Sequence, residues 1–122
     1  MKWLWLALLL LSTSIVAMGE NVSSGSGNGL LPQCQAAVDA LTDDAKFAAA
    51  SYDIGYCTGL IHGISDVLES LGTVCPGDGV TGAQRTRVVV KFLNDHPARL
   101  NDRDTILVMD ALRQAWPCPA KK

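Results

Sequence analysis

Apolar residues between Phe47 and Leu71 recur at alternating steps of three and four, which is the spacing of one face of an α-helix. The members of this seam are Phe47, Ala50, Ile54, Cys57, Ile61, Ile64, Leu68 and Leu71. We therefore predict one long helix over residues 47–71, with the seam in the core. Gly72 is expected to end it, because glycine readily adopts the left-handed conformation found after a helix.

The opposite side of this predicted helix carries a small residue at every fourth position, with two tyrosines beside them. The small residues, which we name the glycine ridge, are Ser51, Gly55, Gly59 and Gly63, and the tyrosines are Tyr52 and Tyr56. Each glycine costs about 1 kcal/mol relative to alanine in a helix interior, so the ridge needs a compensating contact. Two interpretations are open. Either a neighbouring helix of the same chain packs on the ridge, or the ridge is a surface for self-association or for a partner.

The segment before the long helix also has a helical pattern. Leu30 to Leu41 has apolar residues at helical spacing, and Pro32 is allowed in a first turn, so we predict a short helix there. Thr42, Asp43 and Asp44 follow it. Their side chains are suited to capping the start of the long helix and to stabilising its positive end.

The second half of the chain contains two further helix signals. The sequence TGAQ at 81–84 matches a capping box, which favours a helix over a strand for the valine-rich segment that follows, and His96-Pro97 ends that helix. Asn101 with Asp104 is predicted to cap a last helix. The apolar positions of this helix are Ile106, Val108, Met109, Leu112 and Ala115, and Pro117 stops it. The predicted fold class is therefore all-α, a small four-helix bundle.

The amino-terminal region has the layout of a secretory signal peptide over residues 1–19. Lys2 precedes a short apolar run, and small residues around Ala17 to Gly19 offer a cleavage site. The run is too short to span a bilayer comfortably, so the exported product is expected to be free of the membrane. Residues 20–29, ENVSSGSGNG, are polar and are predicted to form a flexible tail. The helical domain is accordingly assigned to residues 30–119.

Four cysteines in a small exported domain predict two disulfides, with three possible connectivities. From Cys57 to the helix end near Leu71 the rise is about 21 Å, and the four residues that return to Cys75 reach at most about 14 Å, which excludes Cys57–Cys75. An antiparallel last helix brings Cys118 beside Cys75, and a first helix folded back along the long one puts Cys34 opposite its middle. We therefore favour Cys34–Cys57 with Cys75–Cys118.

The charge pattern and the titratable residues favour a binding protein over an enzyme. The net charge is −2 and the basic residues are scattered, which argues against nucleic acid as a partner. Cys57 and His62 are five residues apart and point in different directions, so no catalytic pair is predicted. His62 and Asp66 supply only two ligands, so we predict an exposed hydrogen-bonded pair and no metal or cofactor site. His96 is predicted to cap a helix end.

Motifs distributed over residues 34–118 carry a family resemblance. They include Tyr56-Cys57-Thr58-Gly59-Leu60-Ile61, Cys75-Pro76, Gly79-Val80-Thr81, His96-Pro97 and Trp116-Pro117-Cys118. This set resembles the Rap/Tai family of type VI secretion amidase-immunity proteins. Thr58 stands where an aliphatic residue is usual, and Ala98 replaces a common glutamate. The resemblance implies a periplasmic helical protein, often a homodimer, that binds a secreted peptidoglycan amidase and occludes its cysteine-histidine cleft.

Two exposed segments are candidates for contact with such a partner. They are the turn Pro76, Gly77, Asp78, Gly79, and part of the loop after the third helix, Arg99, Leu100, Asn101. Two other classes of function remain open. One is a periplasmic helical chaperone or small-ligand-binding protein, and the other is a structural subunit that uses the glycine ridge only to assemble with itself.

Overall fold

The computed structural model describes residues 25–43, 46 and 49–120. Within these residues the chain forms four α-helices and two single turns of 3₁₀-helix, with no strand beyond isolated bridges. The α-helices are α1 (Gly27–Asp39), α2 (Ser51–Ser70), α3 (Gly82–Asp95) and α4 (Asp104–Ala115). The 3₁₀ turns are Ala40–Thr42 and Pro97–Arg99. The prediction of an all-α four-helix bundle is confirmed.

The core lies where all four helices meet. α1 packs on α2 and α3, and α4 packs on α3 and α2. The side chains that are almost completely buried there include Leu30, Ile61, Val89, Leu93, Leu107 and Leu112. Burial of such side chains stabilises the fold by about 25 cal/mol for each Å² of apolar surface removed from water.

α2 confirms most of the predicted seam. Ile54, Ile61 and Leu68 are buried, and Gly72 follows the helix with a φ of 65°, as its predicted role at the helix end requires. Leu71, however, is 69% exposed, so its assignment to the core is wrong. The physical reason is direction, because Leu71 follows Val67 by four residues and lies on the same exposed side of the helix.

The start of the long helix differs from the prediction. α2 begins at Ser51, and its N-cap is Ala50, which makes no side-chain capping bond. Thr42 and Asp43 therefore do not cap α2. Asp43 Oδ1 accepts a hydrogen bond of 3.3 Å from the backbone N–H of Lys46, three residues on, which is the pattern of an N-cap, but this bond is made before α2 begins. Phe47 and Asp44 lie outside the described residues, as does the predicted signal peptide, residues 1–19.

α1 begins three residues earlier than predicted. The backbone N–H of Gly27 donates to the carbonyl of Asp102 at 3.1 Å, and that of Asn28 donates to the carbonyl of Leu100 at 2.9 Å. Gly27 is buried so closely that a Cβ added to it would lie 2.5 Å from Leu107 Cδ1. The predicted flexible tail is thus wrong for residues 25–29, which are held against the start of α4, while residues 20–24 lie outside the described part.

α3 confirms the predicted capping box. The Thr81 N–H donates to Gln84 Oε1 at 2.7 Å, and the Gln84 N–H donates to Thr81 Oγ1 at 3.2 Å. The helix ends at Asp95, and His96 Nδ1 lies 2.7 Å from the carbonyl oxygen of Phe92, so the capping role of His96 is confirmed.

α4 ends before Pro117 as predicted, but it begins without the predicted cap. Asn101 Oδ1 accepts from Asn28 Nδ2 at 3.0 Å, and the N-cap residue is Arg103. The inward face also differs, because Leu107 is completely buried whereas Ile106 is 39% exposed.

The two disulfides are Cys34–Cys57 and Cys75–Cys118, with Cα–Cα distances of 5.1 and 4.9 Å, so the favoured connectivity is confirmed. The first bond is completely buried between α1 and α2. The second joins the segment after α2 to the segment after α4, and its Cys75 is exposed.

Candidate partner-binding surfaces

The glycine ridge on α2 faces solvent. Gly55, Gly59 and Gly63 are exposed, and a Cβ added at any of them would meet nothing within 4 Å. Within the described residues, no helix packs on the ridge, which counts against the interpretation of a close neighbouring helix in that part of the chain. A contact with a second molecule stays a prediction, since the other described residues offer these glycines no compensating contact.

Apolar side chains extend the glycine ridge toward the end of α2. Val67 follows Gly63 at the same four-residue step and Leu71 follows Val67, and they are 57% and 69% exposed. Tyr52, beside the first turn of the ridge, is 76% exposed. Exposed apolar residues grouped on one helix are typical of protein interaction surfaces. The four-residue spacing contained this signal, but the seam pattern assigned Leu71 to the core.

Tyr56, the other predicted ridge tyrosine, has a structural role. Its hydroxyl donates a hydrogen bond of 2.6 Å to Asp104 Oδ2, and Asp104 is only 4% exposed. The hydrogen bond to the Asp104 carboxylate, with a smaller contribution from burial, raises the pKa of Tyr56 to about 12. This bond ties α2 to the first turn of α4. Tyr56 is therefore only partly available to a second molecule.

The turn from Pro76 to Gly79 is exposed and is fixed at its base. Gly77, Asp78 and Gly79 are all exposed, and Gly79 has a φ of 82°, which glycine tolerates best. The Cys75–Cys118 disulfide and a 2.9 Å hydrogen bond from the Cys75 N–H to the Trp116 carbonyl hold the preceding residue against the end of α4.

The loop between α3 and α4 is held from two sides. Arg99 Nε donates to Asp102 at 2.9 Å and Arg99 Nη2 donates to Asp110 at 2.8 Å. These bonds, first that to Asp110 and then that to Asp102, raise the pKa of Arg99 above its usual range. The backbone of Leu100 and the side chain of Asn101 contact α1, as described above. This predicted candidate loop is therefore a rigid, partly exposed element.

Pockets between the helices include two that are lined by described residues and that the sequence did not predict. The larger, which we name the α3–α4 pocket, has a volume of about 210 Å³. Its lining includes Val88, Phe92, His96, Ala111, Gln114 and Ala115. The smaller, about 90 Å³, lies between α2 and the start of α3, and its lining includes Thr58, His62 and Arg85. The four-residue spacing of Val88, Phe92 and His96 is the signal that could have indicated the larger pocket.

The titratable residues His62 and Cys57 each have a defined partner in the structure. His62 Nδ1 lies 3.0 Å from Asp66 Oδ2 and both side chains are exposed, so the predicted pair is confirmed. Cys57 is bonded to Cys34 and offers no thiol. Within the described residues, no cluster of three or more His, Cys, Asp or Glu side chains is placed to hold a metal ion. No helix in that part of the chain has the length and apolarity needed to cross a bilayer.

The described residues form a small helical scaffold with two disulfides and exposed elements, an architecture suited to binding another protein. A family model described as Rap1a immunity proteins matches residues 26–118, and the chain therefore belongs to the Rap1a immunity protein family. Comparison with curated proteins and with solved structures gave no match. Rap1a immunity proteins are inhibitors rather than enzymes, and an immunity protein acts by binding a protein toxin. Family and disulfides together indicate an exported protein.

Proposed function

We propose that this protein acts in the periplasm, where it binds a type VI secreted peptidoglycan amidase and blocks the active cleft of that enzyme. The family membership supports the inhibitory role, and the motifs that resemble the Rap/Tai proteins support an amidase as the target. The structural observation that carries the proposal is the exposed turn at residues 76–79, which is fixed at its base by a disulfide. The predicted signal peptide would deliver the chain to the compartment where the disulfides form.

A fixed turn is suited to blocking a cleft. Binding costs conformational entropy for each segment that becomes ordered, so an element that is already rigid retains more of its contact energy. Gly77 and Gly79 leave the turn without side chains on either side of Asp78, so its backbone can approach a surface closely. We infer that Asp78 stands at the centre of the contact.

The experiment that tests this proposal is inhibition of a type VI secreted peptidoglycan amidase from the cells that produce this protein. We expect the purified wild-type protein to inhibit hydrolysis of peptidoglycan, and Asp78→Arg to weaken inhibition by at least tenfold, which corresponds to about 1.4 kcal/mol. Asp39→Arg is the matched control, because Asp39 is an exposed carboxylate at the end of α1, and it should inhibit like the wild type. An amidase that is neither bound nor inhibited by the wild type would contradict the proposed function.

We also propose that the glycine ridge is a homodimer contact. Helices that meet through glycines approach closely, and the exposed Val67 and Leu71 would add apolar area to the same contact. Sedimentation equilibrium of the wild type should give the mass of a dimer, and Gly59→Leu should give that of a monomer without loss of helix content. A wild-type protein that stays monomeric over a 100-fold range of protein concentration would contradict this proposal.

A further inference from the structure

The α3–α4 pocket has an apolar floor and a rim of paired charges. Val88, Phe92, Ala111 and Ala115 supply apolar surface. At the rim, Lys91 Nζ donates to Asp95 Oδ2 at 2.6 Å, so these two charges neutralise each other. A charged side chain entering the pocket would therefore lose its hydration without gaining an unpaired partner of opposite sign.

The aromatic wall of this pocket is fixed before any partner arrives. The rings of Phe92 and His96 stack with centroids 4.1 Å apart. The guanidinium carbon of Arg99 lies 5.8 Å from the centroid of the Phe92 ring, and Arg99 is itself bonded to Asp102 and Asp110. A wall held in this way does not have to be ordered on binding, which favours its use as a socket.

The hydrogen bonding of His96 determines what the pocket offers. Its Nδ1 lies 2.7 Å from the Phe92 carbonyl oxygen, and because a carbonyl can only accept, Nδ1 carries the hydrogen. In the neutral ring, Nε2 is then a hydrogen-bond acceptor. Within the described part of the chain, no donor is bonded to Nε2. The pocket thus combines a flat apolar wall with an acceptor that is available to a donor from outside.

We propose that the α3–α4 pocket receives a tyrosine side chain of the partner protein, with its ring against Phe92 and its hydroxyl donating to His96 Nε2. The size is adequate, since an apolar cavity of about 150 Å³ holds a benzene ring and this pocket measures about 210 Å³. A phenol satisfies the apolar wall and the acceptor together, whereas a phenylalanine would leave the acceptor unpaired. Aromatic anchors in pockets are common centres of binding energy. The inference rests on the proposed function for the identity of the partner.

The first test uses small probes and the isolated protein. p-Cresol, which reproduces the tyrosine side chain, should shift the NMR resonances of Phe92, His96 and Gln114 with a Kd on the order of millimolar. Toluene, which lacks the hydroxyl, should bind about fivefold more weakly, because one hydrogen bond is lost. In the His96→Gln variant, the ratio of the p-cresol affinity to the toluene affinity should differ from that of the wild type, because the substitution removes the ring nitrogen that accepts the hydrogen bond. Equal binding of the two probes to the wild type, or shifts outside the pocket only, would overturn the proposal.

The second test fills the pocket in the presence of the amidase. Ala115→Phe places a ring on an exposed lining residue, so we expect a folded protein whose affinity for the amidase falls by at least tenfold. Ala49→Phe, at an exposed alanine just before α2, is the control and should bind normally. If Ala115→Phe binds like the wild type, the pocket inference fails while the proposed function stands.

The remaining outcomes show whether the pocket proposal or the proposed function fails. If the wild type binds no amidase, the proposed function fails, and the p-cresol measurement still decides whether the pocket prefers a phenol. If dilution of the protein alone shifts the pocket resonances, the occupant is a second copy of this chain, and the proposal of a partner tyrosine is overturned.

Discussion

The short bond between the Tyr56 hydroxyl and the Asp104 carboxylate has a consequence at high pH. Because the pKa of Tyr56 is about 12 in the folded protein and about 10 in an unfolded chain, the folded state retains the proton over this interval. The stabilising contribution is therefore complete below pH 10 and is lost as the pH rises through 12. Because the Tyr56 side chain is only partly buried, solvent screening keeps the contribution to a fraction of the roughly 2.7 kcal/mol that two pKa units correspond to.

We expect Tyr56→Phe to remove this alkaline transition. The difference between the ultraviolet absorbance titrations of the wild type and of Tyr56→Phe should show one phenol that ionises near pH 12. The variant should also lose stability at pH 7, because Asp104 would remain buried with one partner fewer. A difference titration centred near pH 10 would contradict the short bond between these side chains.

Single residues also mark the limit of what the sequence could predict. The capping box at Thr81 and Gln84 was predictable because both partners lie within four residues and the geometry is local. Asn101 has the same chemistry, yet its side chain bonds to Asn28, which is 73 residues away in the chain. Propensity and spacing contain no information about such a contact, so the predicted cap of α4 was wrong. The same holds for the anchoring of the α1 start by the loop before α4.

At the scale of elements, α2 was predicted well on its buried face and poorly on its exposed face. Apolar residues that point inward follow the helical period, so Ile54, Ile61 and Leu68 could be assigned to the core. A glycine in a helix can lie against a close neighbour or on an open surface. The sequence of one chain does not distinguish these two environments. The structure decides between them, and it gives opposite answers for Gly59 on α2 and Gly27 on α1.

These two glycines provide a matched prediction. Gly59→Ala adds a methyl group to open space in a helix interior, and we expect the free energy of unfolding to rise by about 1 kcal/mol. Gly27→Ala places a Cβ 2.5 Å from Leu107 Cδ1 and 3.0 Å from the Cα of Leu100, so we expect a loss of about 1–3 kcal/mol. Urea denaturation monitored by circular dichroism measures both.

The control for the glycine prediction is to measure the stability of Gly59→Ala at two protein concentrations. At a concentration low enough to give a monomer, a Gly59→Ala protein that is less stable than the wild type would show that the ridge is covered within the chain. At a concentration that gives a dimer, the same variant should lose part of its gain, because the methyl group would separate the two copies at the proposed contact.

At the scale of the whole molecule, the two disulfides differ in accessibility. The cysteines of Cys34–Cys57 are completely buried among α1 and α2, whereas Cys75 of the second disulfide is exposed. The chain-entropy model gives about 3.5 kcal/mol for the first, which closes 23 residues, and about 4 kcal/mol for the second, which closes 43. A domain with a typical free energy of unfolding of about 5 to 15 kcal/mol would retain little stability if both disulfides were lost.

This difference predicts the order of reduction. A thiolate can attack Cys75 in the folded protein, but it reaches Cys34–Cys57 only after the helices open. Under mild dithiothreitol with iodoacetamide present, mass spectrometry should therefore find Cys75 and Cys118 alkylated first, and circular dichroism should show that the helices remain. In the Cys75→Ser, Cys118→Ser variant the buried bond should be reduced faster than in the wild type, because the domain opens more often. Simultaneous alkylation of all four cysteines in the wild type would contradict this order, since it would mean that reduction follows global unfolding.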